Sequence, residues 1–291
     1  MGGLTRDEEI VSALLEWGGS ELRDLPWRRT RDPWAVLVSE VMLQQTSVAR
    51  VLPKYDAFLD AFPTPHALAS SPLGDALVLW QGLGYPRRCR NLHAAAVAIV
   101  EQHAGGMPDS LEGMLALPGV GQYTARAVLA FARSADVAVV DTNVSRVLSR
   151  LEGRPMKAAE LQSRADALVP RGGAWEWNQV MMDFGARHCT ARSPKCGECP
   201  VGTNCIWRGA AGTADPAPSS AGASRPQARF EGSDRQARGR AMRALGAGAR
   251  SREQLTAAMS MEDDPVRAHA LVDSLVLDRL VLEEDGLVRL P

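Results

Sequence analysis

Apolar residues recur at near-helical intervals along most of the chain and alternate nowhere before residue 280, which predicts a mainly α-helical protein. Between Trp34 and Arg50 the apolar positions are 34, 37, 38, 41, 42 and 48, so one continuous helix is expected there. Leu92 to Gln102 and Thr124 to Arg133 carry the same period. Asp141-Thr142-Asn143 supplies side chains that can cap a helix over Val144 to Leu151. Near the C-terminus, Asp234 to Leu245, Ser251 to Met259 and Pro265 to Leu280 read as three helices, with Ser251 as a cap for the second. Val281 to Leu290 then reads as a hairpin turning at Asp285-Gly286, so the tail has the order of a winged helix.

Between these parts, residues 209 to 230 are rich in Ala, Gly, Ser and Pro, a composition that cannot bury a core. The expected organisation is a helical domain over 1–208, a flexible linker over 209–230 and a small winged-helix-like domain over 231–291. A length of 291 residues suits this division. The longest apolar run, Ala94 to Val100, is far short of the ~20 residues a membrane span needs. The N-terminus lacks a basic-then-apolar segment, so neither a signal peptide nor a membrane role is expected.

The net charge of −1 argues against coating nucleic acid by bulk charge, but leaves room for a local phosphate-binding patch. The tail from residue 209 holds 11 Arg and 12 acidic residues, so it has no excess positive charge of its own. DNA contact and a packing or partner-docking role both remain open for it.

The cysteines carry the most specific chemistry. Cys189, Cys196, Cys199 and Cys205 are separated by six, two and five residues, while Cys89 stands apart among arginines and reads as a free thiol. Four sulfurs at such range suit a tetrahedral zinc or an iron–sulfur cluster rather than disulfides. Zinc sites usually use two short Cys pairs. Here only Cys196 and Cys199 form one, so a [4Fe–4S] cluster is expected, in a reducing cytoplasmic compartment.

Leu117-Pro118-Gly119-Val120-Gly121-Gln122-Tyr123 is a two-glycine turn that runs straight into a helix, the pattern of a helix-hairpin-helix. Glycine lets backbone approach a phosphate, and helix-start N–H groups attract it, so such a grip ignores base sequence. Twenty residues after Gly121 comes Asp141, a candidate helix cap and a candidate catalytic carboxylate. Leu37-Val38-Ser39-Glu40-Val41-Met42-Leu43-Gln44-Gln45-Thr46 sets a glutamate among apolar neighbours. Taken alone, Glu40 reads first as a solvated side chain. If it were buried, desolvation would raise its pKa and suit it to act as a general acid.

Together these motifs resemble the helix-hairpin-helix DNA glycosylase superfamily with an iron–sulfur cluster. Within it, the Glu40 segment, Gly82-Leu83-Gly84-Tyr85 and Leu25-Pro26-Trp27-Arg28 resemble the adenine DNA glycosylase branch, over about residues 10 to 208. The resemblance implies removal of adenine mispaired with 8-oxoguanine or guanine in double-stranded DNA, by a monomer associated with the nucleoid. By the same resemblance, Glu40 would protonate the flipped adenine at N7, and Asp141 would stabilise the oxocarbenium-like sugar. Tyr123 stands where lyase relatives of the endonuclease III type carry a catalytic lysine. A phenol forms no Schiff base, which implies base removal with weak or no strand cleavage. Asn143 would position the water or a sugar-phosphate contact. Trp27, Arg28, Leu43 and Asp183 match the adenine pocket. Gln44 and Tyr85 match residues that probe the opposite strand, with Tyr85 wedged into the stack. Gly119, Val120 and Gly121 would offer N–H groups to phosphate.

Two departures stand out. Pro86 follows Tyr85 where many relatives have a second aromatic residue, and the tail is too short for the Nudix-like domain that reads 8-oxoguanine in the familiar bacterial enzymes. Three other readings compete. A thymine or uracil mismatch glycosylase of the same fold would not need an acid like Glu40. An endonuclease III-like lyase is opposed by Tyr123. A non-catalytic iron–sulfur DNA-binding regulator would not require Glu40 and Asp141 together.

Overall fold

The computed structural model describes residues 3–209, 212–223 and 229–291. Among these, helices dominate. They are α1 (Arg6–Glu21), α2 (Pro33–Leu43), α3 (Val48–Ala61), α4 (Pro65–Ala69), α5 (Leu73–Trp80), α6 (Pro86–His103), α7 (Leu111–Ala116), α8 (Gln122–Arg133), α9 (Thr142–Leu151), α10 (Ala158–Ala167) and α11 (Ala174–Arg187). After these come α12 (Asp234–Leu245), α13 (Arg252–Met259), α14 (Pro265–Leu277) and the antiparallel pair β1 (Leu282–Glu284) and β2 (Leu287–Arg289). No helix among the described residues is long and apolar enough to cross a membrane.

The expected single helix over Trp34–Arg50 is two helices instead. α2 stops at Leu43, Gln45 takes a left-handed conformation (φ 54°), and Ser47 starts α3. Gln44, Gln45 and Thr46 are polar and form the turn, with the Thr46 N–H donating to the Leu43 carbonyl. Of the apolar positions that predicted one helix, only Val48 lies beyond the break, and it opens the second helix. α6 begins six residues earlier than the apolar period suggested, because Pro86 has its φ preset for a first helical position. α14 ends at Leu277, with Asp278 as its C-cap, rather than at Leu280.

Two compact units divide the chain, and their limits differ from the expected 1–208 and 231–291. The first comprises residues 1–36, 109–111 and 121–225. Its core joins Ile10 and Leu14 of α1, Val144, Val147, Leu148 and Leu151 of α9, Leu161 of α10, and Trp177, Val180, Met181 and Phe184 of α11. Burying each such side chain contributes roughly 1.5–3 kcal/mol before entropic costs. Residues 212–223, expected to be flexible, lie against this unit. The Ala221 N–H donates to the Met156 carbonyl (2.9 Å), the Ser220 hydroxyl accepts from the Met156 N–H (3.1 Å), and Asp215 pairs with the buried Arg150 (2.6 Å). Small residues that cannot build a core can still cover one. Residues 210–211 and 224–228 of the expected linker lie outside the described residues.

The second unit comprises residues 37–108, 112–120 and 226–291, so the tail groups with the helices that follow Leu37. Phe58, Phe62 and Trp80 pack edge to face at its centre, with ring centroids 5.0 and 5.8 Å apart. In the tail, α12, α13 and α14 pack on one another. Arg250 extends the hairpin by a bridge to Val288, and Asp285-Gly286 makes its turn at positive φ. The Gly74 N–H donates to the carbonyl of Pro291 (2.8 Å), and the Gln81 amide donates to the carbonyl of Met242 (3.4 Å).

Candidate active site

In the second unit, Glu40 lies on α2 and is only 5% exposed, between Ser39 and Val41, which are buried as well. The solvated alternative is excluded: the whole stretch from Trp34 to Met42 is buried, so this helix has no polar face. Leu43 and Gln44, at the end of α2, are half-buried.

Arg88 organises this end of the unit. Its guanidinium donates to the carbonyls of Val41 (2.8 Å), Met42 (2.8 Å) and Gln44 (2.6 Å), which α2 leaves unpaired at its C-terminus. It also donates to the Thr46 hydroxyl (2.9 Å) and to the carbonyls of Leu83 (3.2 Å) and Gly84 (3.0 Å). One side chain therefore holds the Gln44–Thr46 turn against the Gly84–Tyr85 turn. Tyr85 caps α6 in a left-handed conformation (φ 51°), half-buried, with the Arg88 guanidinium 5.4 Å from its ring centroid.

Gly119 adopts φ +75° in the turn after α7, and a Cβ there would lie 2.6 Å from Cβ of Asn91. Both conformation and space demand glycine. Val120 differs from expectation: it is buried, and its N–H donates to the Leu117 carbonyl (3.1 Å), so it closes the turn instead of facing outward. Gly121 is exposed and extended at the N-cap of α8, where it offers no capping side chain of its own. Tyr123 lies in the first turn of α8, half-buried.

In the first unit, Asp141 caps α9 by accepting from the Val144 N–H (2.7 Å), as its spacing predicts. Its second carboxylate oxygen accepts from the Asn143 side chain (2.7 Å). Although the residue is partly exposed, burial is the largest influence on its carboxyl and pushes the pKa up, against the lowering effect of the Val144 and Asn143 hydrogen bonds and the Arg146 charge. Asn143 is itself held by Arg146, which donates to its side-chain oxygen (2.8 Å) and to the carbonyls of Gly185 (2.6 Å) and Cys189 (2.8 Å). Gly185 allows α11 to lie this close, since a Cβ there would be 2.7 Å from Cβ of Asn143.

Asp183, at 0% exposure, is clamped by two arginines. It accepts from Arg28 (2.7 and 2.9 Å), from the Arg23 Nε (2.8 Å) and from the Arg23 backbone N–H (2.9 Å). Burial alone would raise its pKa, but these bonds outweigh it and hold it at about 2. Trp27 is buried in the short 3-10 turn Pro26–Arg28, the turn that carries Arg28. Asp183 and Arg28 thus form an anchor that ties the segment before α2 to α11. Because the folded pKa is depressed, the stabilisation is present above pH ~4 and is lost as pH falls towards 2. Asp183→Asn should cost about 3 kcal/mol at neutral pH, because the buried Arg28 guanidinium keeps its place and loses the charge that pairs it. Urea unfolding from pH 7 down to pH 3 checks this: the gap between wild type and variant should narrow with acid, and a constant gap would rule the anchor out.

The four predicted ligand cysteines line one cavity, walled by Val147, Leu151, Phe184, Val201 and Trp207. Arg150 donates to Sγ of Cys189 (3.3 Å), and the Arg208 N–H donates to Sγ of Cys205 (3.4 Å), the kind of bonds that steady metal-bound thiolates. A Cβ at Gly209 would lie 2.9 Å from Sγ of Cys196, so the cradle closes tightly around the sulfurs. Burial raises the thiol pKa of Cys189, Cys205 and Cys199, the last to about 11, so thiolates here call for a cation to hold them. The donor set and its apolar walls fit the [4Fe–4S] cluster. Cys89 is separate and buried, and burial pushes its thiol up, so it stays protonated.

Arg23, Arg88 and Arg146 also build the site, without belonging to any of its motifs. Only Arg146 left a signal, standing three residues after Asn143 on the same helix. Asp183, the partner of Arg23, and the end of α2, which Arg88 holds, lie far away from them in sequence.

The HhH-GPD superfamily of base excision DNA repair proteins matches residues 38–171, and the iron–sulfur binding domain of endonuclease III matches residues 189–205. An adenine DNA glycosylase of Mycobacterium tuberculosis is 42% identical over 286 residues, covering 96% of this chain and 92% of its own length. That of Mycolicibacterium smegmatis is 40% identical over 273 residues, covering 92% and 91%. Among solved structures, a thermostable thymine-DNA glycosylase superposes with a TM-score of 0.66 at 30% identity, over 70% of this chain and 97% of that one.

Proposed function

Since the chain belongs to the adenine DNA glycosylases of the helix-hairpin-helix base-excision family, we propose that it removes adenine mispaired with 8-oxoguanine or guanine in duplex DNA, with weak or no strand cleavage. The observation that carries the base preference is the burial of Glu40 in the apolar middle of α2. Adenine leaves readily only when N7 is protonated. A pyrimidine opposite guanine needs no such acid.

In this reading Glu40 gives its proton to N7 of the flipped base and then helps manage the water. Asp141, fixed by the Val144 N–H and Asn143, meets the positive charge that develops on the sugar. Asn143 positions the water or a sugar-phosphate contact. Tyr123 offers no amine to trap the sugar aldehyde, which supports hydrolysis alone. Trp27, Arg28 and Leu43 border the adenine, with Asp183 holding Arg28. Gln44 and Tyr85 probe the opposite strand, and Tyr85 enters the stack. Gly119 and Gly121 meet phosphate, with Val120 shaping their turn. The protein acts as a cytoplasmic monomer on chromosomal DNA.

Single-turnover excision on duplexes carrying A opposite 8-oxoguanine, A opposite G, T opposite G and U opposite G tests this reading, with and without alkali. Adenine loss is expected, with strand breaks only after alkali. Loss of T or U with adenine untouched would instead establish a mismatch pyrimidine glycosylase, the activity named for the structural relative above. Strand breaks without alkali would assign a lyase.

A further inference from the structure

The tail has no surplus of positive charge, yet it belongs to the same compact unit as the turn that carries Tyr85. Besides its contacts with Gly74 and Gln81, it meets that unit at two points that bear on Tyr85. The first is the Tyr85 hydroxyl, where Nη1 of Arg235 lies 3.2 Å away. Arg235 sits in the first turn of α12, with its guanidinium 5.2 Å from the ring centroid of Phe230. The second is Asp278, 7% exposed at the end of α14. Its carboxylate pairs with Arg87 of α6 at 2.6 Å and with Arg238 of α12, and its carbonyl accepts from Arg90 of α6. Arg87 lies two residues beyond Tyr85. The tail therefore grips Tyr85 at the tip of its ring and grips the helix turn that carries it.

We propose that the C-terminal segment is a positioning module for Tyr85, in which Asp278 fixes the first turn of α6 and Arg235 holds the Tyr85 hydroxyl, so that the ring meets the mispaired duplex at one angle. The proposal rests on the reading of Tyr85 as a wedge. It gives the tail a part in recognising DNA without any need for a basic surface. A side chain already ordered in its bound geometry loses less entropy on insertion than one that must be ordered then. Arg235 and Asp278 act through Tyr85 and are positioning residues.

A double-mutant cycle in the full-length protein tests the proposal, using Tyr85→Phe, Arg235→Ala and the pair. The readouts are the affinity ratio for an A:8-oxoguanine duplex over a matched duplex, the saturated single-turnover rate, and the fluorescence of 2-aminopurine placed beside the base opposite adenine. Each single variant should lower the affinity ratio by about five- to tenfold, and the pair should be no worse than either alone. The 2-aminopurine signal should fall in step, and the saturated rate should fall less than the affinity. Arg243→Ala, at an exposed position of the same helix, removes equal charge away from Tyr85 and should not reproduce the effect. Additive losses, an unchanged ratio, or an equal effect of Arg243→Ala would overturn the proposal. Asp278→Asn should mimic Arg235→Ala; if it unfolds the tail, the Arg235 cycle decides. Should Tyr85→Ala leave the 2-aminopurine signal intact while the wild type excises adenine, the wedge reading itself fails. A signal lost with Tyr85→Ala but kept with Arg235→Ala defeats only the positioning role.

Discussion

Glu40→Gln should lower the rate of adenine excision by about 10²–10⁴-fold, the usual range for removing a positioned general acid. The affinity for the mispaired duplex should change by no more than about threefold, because the group acts on the transition state and not on the bound ground state. The substitution keeps the shape of a side chain that lies within the buried run Trp34–Met42, so it introduces no cavity. A carboxyl and an amide differ there chiefly in the proton that only the acid can release. Binding by gel shift and excision under single turnover, measured on the same duplex, separate the two effects. Equal losses in both would assign Glu40 to packing or binding and remove it as the acid.

Asp141→Asn should cut excision by orders of magnitude, on the scale of about 10²–10³ seen when one electrostatic stabiliser of a transition state is removed. The fold should survive. Asparagine caps helices about as well as aspartate, so the bond from the Val144 N–H can remain. The folded pKa of Asp141 is raised, so its ionised form is a cost to stability at neutral pH, and asparagine removes that cost. Against this, the new amide would point a donor at the Asn143 amide. Asn143 cannot simply flip, because its oxygen accepts from Arg146. The opposing terms should leave stability within about 2 kcal/mol of wild type. As pH falls through the folded pKa, the wild-type carboxyl becomes neutral and the wild type gains stability relative to the variant. Thermal unfolding at pH 7 and pH 4, beside the excision rate, checks both parts. Near-normal turnover would remove Asp141 from the chemistry.

These two carboxyl groups also show the limits of a one-dimensional reading. Asp141 was legible because its cap is local: an aspartate three residues before Val144 accepts from that residue's N–H, wherever the helix goes afterwards. The same holds for the Asp285-Gly286 hairpin, for Ser251 as the cap of α13, and for the four cysteines within seventeen residues. In each case the partners are close in sequence, so spacing alone brings them together.

What the sequence by itself determined was therefore the helical class, the caps and turns, the cysteine loop and, through its motifs, the family. What only the tertiary structure decided was which of these groups are dry and which are held. Glu40 is buried because of what packs around α2, and its own neighbours in sequence allowed either outcome. Arg88 ends α2 by reaching back more than forty residues to its carbonyls, and no local pattern announces that partner. Asp183 became an anchor through Arg23 and Arg28, about 155 to 160 residues away in the chain. Asp215 and Ser220 turned part of an apparent linker into a covering strip, and Asp278 tied the tail to α6. Each of these contacts joins polar groups whose sequence separation carries no information. Burial, and the hydrogen bonds that burial demands, are set by the whole chain folding at once.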